Sequence, residues 1–359
     1  MSIDDRKREH ATRIDFGRRT VVLRVVGGGS VRVGVRSVAI CSAMAVAVVV
    51  IALVSLATGS YQLSLGQVVS ALTGRQGGLV HDIVVDWRLP QVAATIVFGA
   101  ALGVSGAMFQ SLMRNPLASP DVIGFSTGSY TGALIVVLVI GGSYTTVALG
   151  ALAGGIATAL AVYLFAYRQG VQGFRLIIVG IAISAMLASA NTWMVLKADL
   201  EVAMAAAAWG AGSLDAVRWS QVAVGGVVIL ILFALTALLS RPMRQMELGD
   251  DTAASQGVLI GAARLGLIIL GVALTATVTA AAGPIAFVAL AAPQIARRLT
   301  RTAGITLVPA AFVGALLLGA ANFVAQHLTP TPLPVGVITV MIGGGYLGWL
   351  IFIEARRQL

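Results

Sequence analysis

The sequence predicts an all-α integral membrane protein of about ten transmembrane helices, some short or broken, with both termini cytoplasmic. Three observations lead there. Of 359 residues, 58% are hydrophobic and 11% charged, with a mean hydropathy of +0.94, whereas a soluble domain carries about a quarter charged residues to cover its surface. Apolar runs of about 20 residues, long enough to cross roughly 30 Å of hydrocarbon, recur along the chain. The cations between those runs collect on one side.

Residues 1–36 form a basic, polar tail with Arg6, Lys7, Arg8, Arg13, Arg18, Arg19, Arg24, Arg32 and Arg36, read as cytoplasmic. Residues 37–359 form one polytopic domain. The first span, 38–58, has no small-residue cleavage pattern at its end and is too long for a signal-peptide core. Further spans are predicted over 90–111, 122–140, 145–167, 176–196, 219–240, 304–326 and 335–353. Arg114, Arg168, Arg175, Arg241, Arg244, Arg264, Arg297, Arg298, Arg301, Arg356 and Arg357 fall on the side of the tail. Arg75, Arg88, Lys197 and Arg218 fall on the other, with Asp82, Asp86, Asp199, Glu201 and Asp215. That asymmetry requires an even number of crossings.

The stretch 265–296 has cations at both ends, so the chain must go out and return. As helix it would measure roughly 48 Å, against about 60 Å for two full crossings. Gly283-Pro284 supplies a break, because proline removes a backbone donor and clashes with the preceding turn. A helix over 265–282 and a shorter one over 284–296 follow, and such a break at membrane depth points to a central pathway. A second irregular stretch is Arg114-Asn115-Pro116-Leu117-Ala118-Ser119-Pro120-Asp121. Pro120 suits a first helical turn, and Asp121 there complements the helix dipole. Gly99-x-x-x-Gly103 and Gly150-x-x-x-Gly154 let helix backbones approach closely.

Several functions are excluded. The lysines, Lys7 and Lys197, do not follow glycine, so no phosphate-cradling loop is encoded and ATP is not held by that route. His10, His81 and His327 are scattered, and Cys41 lies alone in an apolar run, so neither a metal site nor a disulfide is expected. The net charge of +10 sits between spans and does not form a nucleic-acid patch. No nucleophile–base constellation appears, and no cofactor is expected. No carboxylate lies deep within a predicted span, as it often does in an ion-coupled carrier. Asn191 is the most polar residue deep within one, either as a helix–helix hydrogen bond or as a pathway contact.

Eight motifs in order resemble one family. They are Arg88-Leu89-Pro90 with Gly99 to Gln110; Arg114-Asn115-Pro116-Leu117-Ala118; Pro120-Asp121-Val122-Ile123-Gly124; and Trp209-Gly210-Ala211-Gly212-Ser213-Leu214. Then come Leu248-Gly249-Asp250-Asp251-Thr252-Ala253; Ala282 to Leu290; Pro293-Gln294-Ile295-Ala296-Arg297; and Leu333 to Thr339. The chain resembles the FecCD family of importer permeases over 60–355. Within it, Phe174-Arg175-Leu176-Ile177-Ile178 and Asn191-Thr192-Trp193 are most similar to the second permease of ferric-enterobactin systems. Two positions depart from the pattern. Gln91 replaces the second arginine of Arg-Leu-Pro-Arg, which puts one docking charge in question, and Gln294 replaces a histidine.

The resemblance implies a multi-pass protein of the bacterial inner membrane that moves a ferric siderophore by ATP-driven import. Haem and cobalamin are the alternative cargoes, and a secondary transporter the alternative class. Implied partners are a second permease subunit, two ATP-binding subunits and an extracytoplasmic substrate-binding protein. The polar loop 241–264 is long enough for a docking element, and the resemblance places ATPase coupling at Leu248, Gly249, Asp250, Asp251, Ala253, Gly257 and Val258. Arg88 is either a docking charge for the binding protein or a boundary arginine. Gln172, Gly173 and Phe174 match the family's gate region, an ordinary turn being the alternative. Gly180, Ser184 and Asn191 are the candidate pathway residues of the fifth span. Chelated iron needs a wide, weakly interacting wall and no iron ligands.

Overall fold

A computed structural model describes residues 20–24, 30–139, 144–166, 173–304, 306–328 and 331–358. The described part of the basic tail is not irregular throughout: β1 (Thr20–Arg24) pairs antiparallel with β2 (Ser30–Gly34), Val22 standing opposite Arg32. Valines in both segments favour a pleated pair, a local departure from the all-α expectation. Everything described beyond it is helix or connection.

Among the described residues, seven helices are long and apolar enough to cross a membrane. They lie within α1 (Val35–Ala57), α3 (Leu79–Met113), α5 (Tyr144–Ala166), α6 (Gly173–Lys197), α8 (Trp219–Glu247), α10 (Ile260–Ala282) and α12 (Leu307–His327). Shorter elements are α2 (Leu65–Leu72), α4 (Phe125–Val139), α7 (Leu200–Gly210), α9 (Asp250–Ser255) and α11 (Val288–Thr300), and α13 (Val335–Gln358) closes the chain. Every predicted span therefore has its helix. The helix before Met113 starts well ahead of Pro90, because Asp82–Arg88 is wound as a π-helix, whose wider turns leave room for a residue without an amide.

In lipid, helices gain little from hydrophobicity alone and associate through close packing of small residues. Gly99 and Gly103 of α3 lie against Gly314 and Ala310 of α12, and Gly150 and Gly154 of α5 lie against Gly132 and Gly128 of α4. Gly106 sits on the backbone of Ala289 in α11, where any side chain would overlap the carbonyl. Around this frame Phe98, Leu102, Met108, Leu267, Leu274 and Leu318 form the main core.

The break after α10 comes where Gly283 takes φ +73°, but the next helix begins at Val288, four residues later than expected. Pro284 is in close contact with Gly212, and the Ser213 amide donates to the Ala282 carbonyl at 2.8 Å. These contacts hold the non-helical link in place of a helical turn. Arg36, whose Nε donates to the Leu299 carbonyl at 3.0 Å, lies at the same end as the Arg114–Asp250–Arg264 cluster described below.

Candidate functional site

A cavity of about 550 Å³ opens between α4, α6 and the broken link after α10. Asp121, Ser126, Thr127 and Tyr130 form one wall, Asn191, Thr192 and Leu196 a second, and Gly210, Pro284 and Ala286 a third. Tyr130 stacks on Trp209 with ring centroids 5.9 Å apart, and its hydroxyl donates to the Ala206 carbonyl at 3.2 Å. Behind that pair lies an apolar pocket of about 260 Å³ against Leu134 and Val137. Among the described residues no lysine, arginine or histidine lines the main cavity, and the wall they form is hydroxyl, amide and apolar surface with one carboxyl group.

That carboxyl group corrects the sequence reading. α4 starts at Phe125, so Asp121 is not in a helical first turn but in the bend before it. Its neighbours Ala118, Ser119, Pro120, Ile123 and Gly124 are buried. Gly124 packs on Gly180 and Ser184 of α6, roughly two and three turns into that helix. A carboxylate therefore does stand inside the helical bundle, carried by irregular backbone that protein shields from lipid. Its Oδ1 accepts from the Ser126 hydroxyl at 2.6 Å, and its buried Oδ2 has no partner within hydrogen-bond geometry among the described residues.

The candidate pathway residues separate. Asn191 lines the cavity, its Oδ1 also without a partner among the described residues. Ser184 stands behind the wall, its hydroxyl 3.1 Å from that of Thr127. Gly180 is buried under Ile123 and serves packing. Gln172 lies outside the described residues, and Gly173 and Phe174 already belong to the first turn of α6, not to a turn before it.

At the arginine-rich end, α8 runs to Glu247, Leu248 caps it, and Gly249 turns the chain with φ +120°. The short helix α9 follows. Ala253 is its buried residue, while Asp251, Thr252, Ala254 and Ser255 are exposed. Gly257 has φ +84°, and the Val258 amide donates to the Ala253 carbonyl at 3.0 Å. Leu248 and Leu259 flank the helix with 68% and 78% of their surface exposed, two apolar knobs beside a polar helix. Asp250 does not face outward freely: it accepts from Arg264 at 2.8 Å and from Arg114 at 2.5 Å. Partial burial pushes its carboxyl up, but hydrogen bonds and charge from Arg264 and Arg114 outweigh that and hold it below the usual carboxylate range. Sequence reasoning missed Arg114, Arg264 and Leu259 as members of this cluster.

At the opposite end Arg88 donates to the carbonyls of Leu56 at 2.7 Å and Tyr61 at 2.6 Å, a geometry that favours an anchor for the exit of α1. Gln91 donates to the Asp215 carbonyl at 3.2 Å and accepts from Gln326 at 2.9 Å, joining α3 and α12 to the loop before α8. The other departure also has a role: Gln294 donates to Gln110 at 2.5 Å, and Gln110 donates to the Leu290 carbonyl at 2.9 Å, all buried.

Residues 46–352 match the FecCD transport family. The chain is 48% identical over 319 residues to the ferric enterobactin transport system permease protein FepG of Escherichia coli (strain K12), covering 89% of this chain and 97% of that one. It is 35% identical over 318 residues to the Fe(3+)-citrate import system permease protein YfmE of Bacillus subtilis (strain 168), covering 88% and 95%. Among solved structures, an inward-facing metal-chelate type ABC transporter matches with a TM-score of 0.76 at 26% identity, covering 88% of this chain and 99% of that one.

Proposed function

The chain belongs to the FecCD transport family, and on that basis we propose that it is the permease subunit of an ATP-driven importer carrying a ferric siderophore across the bacterial cytoplasmic membrane. The observation that carries this reading is the pairing of a cavity lined by hydroxyl, amide and apolar groups, with no cation or metal-ligand cluster among the described residues, and an exposed helix, α9, at the arginine-rich end. A chelate that already satisfies its iron needs a wall that does not compete for the metal, and hydroxyls and amides provide one.

In this proposal about ten helices cross the membrane, the arginine-rich end and both termini are cytoplasmic, and residues 37–359 act as one permease domain. α9 with Leu248, Gly249, Asp251, Gly257 and Val258 docks on a separate ATP-binding subunit. The cavity is bounded by α6 on one side only, and a second permease subunit supplies the missing wall. The exposed Ile181, Met186 and Trp193 of α6 and Met341 and Trp349 of α13 offer it apolar surface. An extracytoplasmic binding protein delivers cargo at the end marked by Arg88 and Gln91. ATP-driven closure of two ATPase subunits moves α9, and the cavity opens alternately to either side.

One observation favours a second reading. The half-buried Asp121 beside the cavity is a group that a proton-coupled carrier would also hold. Uptake of a ferric siderophore into proteoliposomes separates the two. The importer requires the ATP-binding subunits and ATP and stops with vanadate. Uptake driven by a pH gradient with no ATPase present would instead establish the carrier.

A further inference from the structure

α9 is fastened to the end of α3 as well as to its own neighbours in sequence. Arg114, the residue after Met113, donates to the Met246 carbonyl at 2.6 Å and to Asp250 at 2.5 Å, and Arg264 of α10 holds the other oxygen of Asp250. Ser111 in the last turn of α3 donates to Glu247 at 2.6 Å. Arg114 has a left-handed backbone, φ 48° and ψ 33°, at a helix end where glycine or asparagine is the usual occupant. What its side chain does explains an arginine there.

The segment that leaves Arg114 does not stay at the inner face. Ala118, Ser119 and Pro120 are buried, Ile123 and Gly124 press on Gly180 and Ser184 of α6, and Asp121 reaches the cavity. Internal bonds stiffen it: Leu117 N–H to Asn115 Oδ1 at 2.9 Å, Val122 N–H to Ser119 Oγ at 3.3 Å, and Phe125 N–H to the Pro120 carbonyl at 3.1 Å. One short stretch therefore has its first residue in the α9 cluster, Asp121 in the cavity wall and its last residue packed on α6.

We infer that residues 114–124 are the lever through which a displacement of α9 reaches the cavity, with Arg114 the positioning residue that clamps the lever to α9. The inference rests on the proposal that α9 docks on an ATPase. Half-exposed ion pairs contribute little stability, and Arg114 and Asp250 have side chains 46% and 43% exposed. Their role is registry. When α9 shifts, Arg114 follows, and the contacts of Ile123 and Gly124 on α6 leave no slack to absorb the motion.

The test uses the assembled transporter with its ATP-binding subunits in proteoliposomes, comparing wild type, Arg114→Gln and the conservative Arg114→Lys. Ferric enterobactin moved per ATP hydrolysed is measured, together with the vanadate response of thiol labelling at Thr192→Cys in a Cys41→Ser background. Arg114→Gln should still co-purify the ATPase and hydrolyse ATP. Its transport per ATP should fall about two- to thirtyfold, the range of a coupling change along such a route, and labelling at the cavity should no longer respond to vanadate. Arg114→Lys should recover part of both. Wild-type coupling in Arg114→Gln would overturn the lever, and so would loss of ATPase binding, which would make the cluster a docking surface. A wild-type chain that binds no ATPase would instead overturn the proposed function.

Discussion

α3 and α6 are nearly equal in hydropathy, yet the apolar core of α3 is 78% buried inside the chain and that of α6 only 17%. Their sequences differ in where bulk is placed. α3 carries Gly99, Gly103 and Gly106 on faces where other backbones lie in contact, and its last ten or so residues before Ser111 are buried throughout. α6 carries Ile181, Met186 and Trp193 outward, and turns Asn191 toward a cavity. Hydropathy reports that a helix avoids water. Side-chain size reports whether its neighbour is protein of the same chain, and α6 is left to lipid, cargo or a second subunit. The tightly packed part of the molecule is thus α3 with α11 and α12, and the face proposed to line the pathway is α6 with α4.

The widest separation between the two helices should come from Gly106→Leu. A side chain there overlaps the Ala289 backbone, and overpacking of this kind costs about 3 kcal/mol. Thermal melting of the detergent-solubilised chain should fall sharply or the folded protein should be lost, and an unchanged melting curve would mean that α3 is not tightly seated. Gln91→Ala comes next, because it removes a hydrogen-bonded bridge at the Arg88 end of α3; a loss of about 1 kcal/mol is expected with uptake retained. Met186→Ala on the open face of α6 should stay within about 0.5 kcal/mol of wild type in the isolated chain. A drop as large as that of Gly106→Leu would erase the distinction between the helices.

Much of this organisation is legible in the sequence. Long apolar runs and one-sided cations mark the spans, and the residues that permit close helix contact, Gly99 with Gly103 and Gly150 with Gly154, meet partners in the fold. The break at Gly283-Pro284 is legible because a missing amide is a local property. The site is less so. Arg114 and Asp250 lie 136 positions apart, and no local spacing rule joins them. Asp121 looks like a surface helix cap until the small residues around it are seen to carry the bend inward. Arg88 looks like a free boundary charge until the carbonyls of Leu56 and Tyr61 appear beneath it. Each of these depends on which segments meet, which composition and periodicity do not encode.

The claim that the α6 face borders an aqueous pathway driven by ATP is open to one direct measurement. Cys41 is the single cysteine, so Cys41→Ser gives a silent background for Thr192→Cys at the cavity and Leu230→Cys on the exposed apolar face of α8. The assembled transporter in membranes is treated with a membrane-impermeant thiol reagent, with and without vanadate-trapped nucleotide. Thr192→Cys should label, and its rate should change on trapping, while Leu230→Cys stays unlabelled in both states. Equal protection of both cysteines, unaltered by nucleotide, would place α6 in lipid and contradict the pathway.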